Sequence, residues 1–222
     1  MATGIGQFGF GPKQTRYATA GTYYTATNPT AGTGVITGVV TSLADTTPYL
    51  VVKNNNAVTS GIKVHLDKLV LDVTVVGVTF SGSRKFAHKI DYSQSTTRYT
   101  SGGSTITPQP VGRTALGTIP ASNAQIYVGA ITAAAAGDGR LIESGTLCSA
   151  IEVVFSTFVF DFGAPLAQPV TGLVDSSTTV MHKYFPCSPI VLGPQEHYLF
   201  HLWGATMATG ITFGFNLGYV EV

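Results

Sequence analysis

An all-β fold, an antiparallel β-sandwich of the jelly-roll kind with an extended N-terminal arm, is what this sequence of 222 residues predicts. Three observations carry that reading. Several segments alternate apolar and polar residues with period two, which places one face of a strand against a core. Gly and Pro punctuate the chain between those segments, as turns between short strands require. Charged residues make up 10% and hydrophobic residues 44%, whereas helical bundles and coiled coils need Glu, Lys and Arg in bulk and an average domain carries about 25% charge.

Residues 1–33 are rich in Gly, Thr, Ala and Tyr and almost devoid of large aliphatics. Such a stretch buries too little apolar area to offset an ordering cost of about 1–2 kcal/mol per residue. It is expected to be an extended arm held by a neighbouring surface, and its deletion is expected to leave a folded core. Residues 34–222 then form a single domain. Val35-Ile36, Val39-Val40 and Tyr49–Lys53 are β-branched or aromatic runs, and Asn54, Asn55 and Asn56 mark a turn. Ile62, Val64 and Leu66 are apolar at even positions, after which the apolar phase moves to Leu69, Leu71, Val73 and Val75. A β-bulge or a turn near Asp67 and Lys68 would produce that one-residue slip.

The stretch at about 93–123 is dominated by Ser, Thr, Gly and Pro and is expected to be a long excursion with at most a short strand around Ile106. Ile126–Ile131 has strand character, and Ala133–Ala136 could start a helical turn that Gly137 and Gly139 would stop. In Ile151–Phe162, Phe158, Phe160 and Phe162 share one face. Tyr198, Phe200 and Leu202 oppose Leu199, His201 and Trp203, and Ile211, Phe213, Phe215, Leu217 and Tyr219 alternate with polar or small residues to the end of the chain. The glycines on the far face of that last strand suggest close approach of another backbone or subunit.

The chemistry-bearing residues define no catalytic, cofactor-binding or metal site. Gly4, Gly6 and Gly9 match a dinucleotide fingerprint by letter, but the preceding strand and following helix that would bring a pyrophosphate to a helix N-terminus are missing. His197 and His201 have a spacing that chelates on a helix; on a strand it spans about 13 Å, so these histidines, and His65, His88 and His182, are expected to be satisfied or exposed. Asp67/Asp72 and Glu143/Glu152 have no spacing that forces a paired-carboxylate site. Cys148 and Cys187 lack any metal or redox spacing; two buried thiols are expected, with a single bridge as the alternative. Arg84, Lys85, Lys89 and Arg98, with Asp91 among them, are expected to form a solvated face. The net charge of +1 argues against direct nucleic-acid binding, which needs a basic stripe. The N-terminus has no signal-peptide pattern, and no run approaches the roughly 18 apolar residues of a membrane span.

Three features carry a family resemblance. They are the arm 1–33, the segment Ile90-Asp91-Tyr92 through Arg98-Tyr99-Thr100-Ser101-Gly102-Gly103, and Pro189-Ile190-Val191-Leu192-Gly193-Pro194 through His201-Leu202-Trp203-Gly204 leading into the terminal strand. With them the chain resembles a bacteriophage or viral structural protein of the jelly-roll type. The resemblance implies a non-enzymatic capsid decoration or minor capsid protein, made in a host cytoplasm and located in the virion. It also implies a homo-oligomer, a trimer by preference, that binds major capsid or other virion proteins. The arm carries only Lys13 and Arg16, a departure from the polybasic arms that bind packaged RNA, so no direct genome binding is expected. Low charge suits subunit contacts, whose centres are depleted in charged residues. The alternative is a carbohydrate-binding or adhesin-type β-sandwich, for which Tyr23, Tyr24, Tyr92, Tyr99 and Trp203 are the stacking candidates and should cluster exposed on one face.

Overall fold

A computed structural model describes residues 22–30, 32–76, 83–111, 121–148, 153–164, 180, 182–204 and 209–222. Among the described residues there are fourteen strands: β1 (Tyr23–Thr27), β2 (Val35–Ile36), β3 (Leu50–Asn54), β4 (Val64–Val75), β5 (Arg84–Asp91), β6 (Tyr99–Ile106), β7 (Gln109–Pro110), β8 (Ala124–Ala133), β9 (Gly139–Cys148), β10 (Thr157–Phe162), β11 (His182–Cys187), β12 (Val191–Leu192), β13 (His197–Gly204) and β14 (Thr212–Glu221). One sheet runs β11-β10-β4-β14-β1-β7, with β12 added to β4 and β2 to β14; the other runs β6-β8-β3-β13-β5-β9. All pairs are antiparallel except β10 with β11.

The strand order has a simple internal logic. With β2, β6, β7, β8, β11 and β12 set aside, the remaining strands pair first with last, second with second-last, and so inward. These pairs are β1 with β14, β3 with β13, β4 with β10 and β5 with β9. One long antiparallel hairpin rolled into two facing sheets gives this order, which is the jelly roll. The β1–β3, β4–β5, β9–β10 and β13–β14 connections therefore lie at one end of the sandwich. The β3–β4, β5–β9 and β10–β13 connections lie at the other.

Alternating side chains fill the space between the sheets. Phe158, Phe160 and Phe162 on β10, Phe213 and Leu217 on β14, and Tyr198, Phe200 and Leu202 on β13 are all buried in one cluster drawn from both sheets. Full burial stabilises by about 1.5–3 kcal/mol for each large apolar side chain. Phe86, Phe160, Phe185 and Phe200 form its aromatic centre, with ring centroids 4.9–6.3 Å apart.

The phase slip in β4 is a bulge and not a turn. Gly218 faces Lys68 and Tyr219 faces Leu66, so Asp67 is the extra residue. Asp67 is buried and accepts a 3.1 Å hydrogen bond from the Tyr23 hydroxyl. A Cβ on Gly218 would collide with that hydroxyl. The close approach at Gly218 therefore comes from the chain's own Tyr23.

Other expectations are corrected. Residues 1–21 of the 1–33 arm lie outside the described residues, but Tyr23–Thr27 is a strand inside the sheet, between β14 and β7, with Tyr23, Tyr24 and Ala26 buried. Neighbouring strands supply the hydrogen bonds and apolar cover that its composition lacks, so deleting 1–33 would remove part of the core. The excursion at 93–123 contains an eight-residue strand, Tyr99–Ile106. Its glycines act as bulge residues, with Gly102 and Gly103 at φ 79° and 65° beside the register shifts against β8. Ala134–Ala136 is irregular with no helical turn, followed by a bend. Part of the strand expected from Ile151 lies outside the described residues; Val154 and Phe155 form a turn, and β10 begins at Thr157.

Candidate functional site

The titratable side chains separate into a core group and an outer-face group. In the core, His88 of β5 lies among Phe86, Phe160, Phe162 and Phe200, with Nδ1 2.6 Å from the Tyr198 hydroxyl and Nε2 3.8 Å from Cys187 Sγ. Burial pushes the His88 pKa down to about 3. Burial first, and the nearby Glu143 and Asp161 carboxylates second, push the Cys187 thiol up to about 12. A protonated thiol beside a neutral imidazole, both out of solvent, is inert as a nucleophile. No disulfide joins Cys148 and Cys187; both are buried thiols.

The outer face of β13 carries the second group. Asp91, at the end of β5, accepts hydrogen bonds from the backbone N–H groups of Ser93, Gly137 and Asp138 at 2.9–3.1 Å, and pairs with Arg98 at 2.7 Å. Burial alone would raise the Asp91 pKa; the backbone donors and the Arg98 guanidinium outweigh it and hold the carboxyl below its ordinary value. Arg98 also donates to the carbonyls of Ala134 and Asp45, and Lys89 pairs with the Asp45 carboxylate. The chain over 37–48 is thereby strapped across the sheet. Arg84 and Arg98 are buried. The expected solvated basic face is thus wrong for these two, because the strap and the 93–98 segment fold over Arg98 while Arg84 falls at a buried strand position.

His197 and His201 are both buried on this face. Among the described residues neither ring nitrogen of His201, nor Nδ1 of His197, has a partner with full hydrogen-bond geometry, although the Ala44 backbone favours the protonated His201 ring. His201, expected to be satisfied or exposed, is thus buried without a well-formed hydrogen bond. Burial first and Lys89 second lower the His201 pKa to about 4; burial first and Lys53 second do the same at His197. His88 faces the core while His201 faces away from it, His65 belongs to the other sheet, and His182 is exposed. Among the described residues no group of three His, Cys, Asp or Glu is placed to hold a metal ion. Gly4, Gly6, Gly9 and Glu152 lie outside the described residues.

The five candidate aromatics do not form one surface. Tyr23 and Tyr24 are buried in the eight-stranded sheet, while Tyr99 stacks on Tyr127 with centroids 3.7 Å apart on the other sheet. Tyr92 is exposed and Trp203 half-buried.

The exposed chemistry sits instead at the end of the sandwich that holds the β1–β3 and β9–β10 connections. Ile36 and Val75 both oppose Thr212, so the three side chains form one row on the outer face. Ile36 and Val75 are more than half exposed, as is Val39 beyond them. Phe155 continues the row: its N–H bonds the Val73 carbonyl at 2.8 Å and its side chain is 76% exposed. It also holds φ 73°, a left-handed conformation that costs a bulky residue about 1–2 kcal/mol. Behind β2, a cleft of about 170 Å³ opens between Thr37, Val40, Pro48, Tyr49, Ala130 and Leu202. No charged residue lines it.

Sequence reasoning missed this end. Ile36 and Val39 belong to the β-branched runs Val35-Ile36 and Val39-Val40, and Phe155 to the stretch 151–162; such runs lack the alternation that would tell an exposed side chain from a buried one. Comparison with family models, with curated proteins and with solved structures finds no match to this chain.

Proposed function

We propose that this chain is a virion structural protein, a capsid decoration or minor capsid subunit that acts by self-assembly and by binding a protein shell. The observation that carries the reading is the apolar end: Ile36, Val39, Val75 and the strained Phe155 standing out from a chain with 10% charged residues. Together they expose roughly 400 Å², the scale at which an apolar patch on a monomer marks an interaction site. The jelly-roll order adds support only by analogy, because the same fold serves coat proteins, lectins and cupins. Among the described residues no helix is long and apolar enough to cross a membrane.

The test is the light-scattering mass of the full chain after size exclusion, with negative-stain images of the same fractions. Trimers, closed shells or tubes are the expected result. A monomer of 23.2 kDa at every concentration, including in the presence of shell proteins, overturns the reading. In that case an immobilised-glycan screen examines the carbohydrate-binding alternative.

A further inference from the structure

We propose that Phe155 of one copy seats its ring in the cleft behind β2 of a second copy, so that neighbouring jelly rolls join through a repeated knob-and-socket contact. This rests on the reading of the chain as a self-assembling subunit and names the surface that would do it.

Nothing among the described residues calls for a ring at position 155. The turn is closed by Ser156 N–H donating to the Val153 carbonyl at 2.9 Å, and Phe155 contributes only its backbone N–H to Val73. Glycine would make the same hydrogen bonds without strain at φ 73°. The phenyl group is nevertheless held in a disfavoured conformation and left in solvent, and a strained outlier with no internal partner points to an external one.

The socket matches it in size. Its volume is about 170 Å³, and a cavity of about 150 Å³ accommodates a benzene ring. Its walls combine aliphatic carbons and the Tyr49 ring with threonine hydroxyls and backbone polar atoms, and no charged residue is among the described residues that line it. Phe155 cannot fill its own cleft. It lies on the β10 side of the row β2-β14-β4-β10, three strand spacings or about 14 Å from β2. A knob and a socket on different patches of one molecule make a heterologous contact, which closes into a ring when the rotation permits. Ile36, Val39 and Val75 lie at the same end and bring the apolar share to about half of the roughly 800 Å² that each partner gives a stable interface.

The experiment uses the full chain as wild type, Phe155→Gly and Gly38→Val. Gly38 lines the cleft, and a Cβ there meets nothing nearer than 3.6 Å, so valine fills the socket without a clash at the backbone. Each variant is expected to remain folded by circular dichroism and to raise the concentration of half-dissociation at least tenfold. A 1:1 mixture of the two variants should form dimers and nothing larger, since one brings an intact socket and the other an intact knob. Assembly of Phe155→Gly at wild-type concentration overturns the knob while leaving self-assembly standing. A wild-type chain that never assembles overturns both. Should Gly38→Val misfold, Ala130→Val blocks the same socket, and the Phe155→Gly result decides the proposal alone.

Discussion

Among the described residues, the two ends of the sandwich each hold one non-glycine residue in the left-handed region, Gln195 at φ 66° and Phe155 at φ 73°. Their surroundings are opposite. Gln195 donates its backbone N–H to the Asn54 carbonyl and its side-chain amide to the Asn56 carbonyl, both at 2.7 Å. Asn54, wholly buried, donates to the carbonyls of Ile62 and Leu192 and accepts from both the backbone and the side chain of Asn56. Asn123 donates to Asn56 in turn, and the Asp91–Arg98 pair lies at the same end. Strain there is offset by hydrogen bonds inside the molecule. At Phe155 it is offset, among the described residues, by one backbone bond. The contrast teaches that one end is complete in the monomer and the other is built as though something else completes it.

The largest expected effect comes from acid, and it breaks the complete end. The folded-state pKa values of His197 and His201 are about 4 and that of His88 about 3, all below the ordinary 6.5. Below pH 6.5 the unfolded chain binds protons that the folded chain refuses, so stability is fully present above that pH and is lost as pH falls toward 4. The slope is up to about 1.4 kcal/mol per pH unit for each histidine. A melting temperature that stays flat from pH 7 to 4.5 would contradict this.

Next in size is Arg98→Met, which leaves Asp91 buried without its cation. Urea unfolding should show a loss of about 3–5 kcal/mol. Asn54→Ala strips partners from Ile62, Leu192 and Asn56 together and should cost about 2–3 kcal/mol by the same measurement. The smallest effect is the most direct test of the contrast. Glycine at 155 should stabilise the dilute monomer by about 1 kcal/mol through relief of strain, while glycine at 195 should be close to neutral, because loss of the amide bond to Asn56 offsets the same relief. Equal stabilisation at the two positions would end the distinction between the ends.

Much of the fold was legible in the residues. The alternation over 211–219, the phenylalanines of β10 and the one-residue slip at Asp67 each identified a strand face correctly, because period two maps directly onto the two sides of a sheet. The strand β6 was hidden since Gly102 and Gly103 resemble loop residues until β8 supplies a bulged partner. The burial of Arg98 was equally hidden: sequence proximity to Lys85 and Lys89 suggests a wet basic face, and only the strap from 37–48 encloses it. The apolar end had no pattern to betray it.

By itself the sequence determined that the chain is β and which side chains face inward, because those properties depend on neighbours two residues apart. Only the tertiary structure decided that β1 pairs with β14, that Asp91 meets Arg98, and that Phe155 stands outside while a ring-sized cleft opens about 14 Å away. Those outcomes depend on pairings between segments distant in sequence, where hydrogen-bond register and the volume left between sheets choose among many arrangements with the same local alternation.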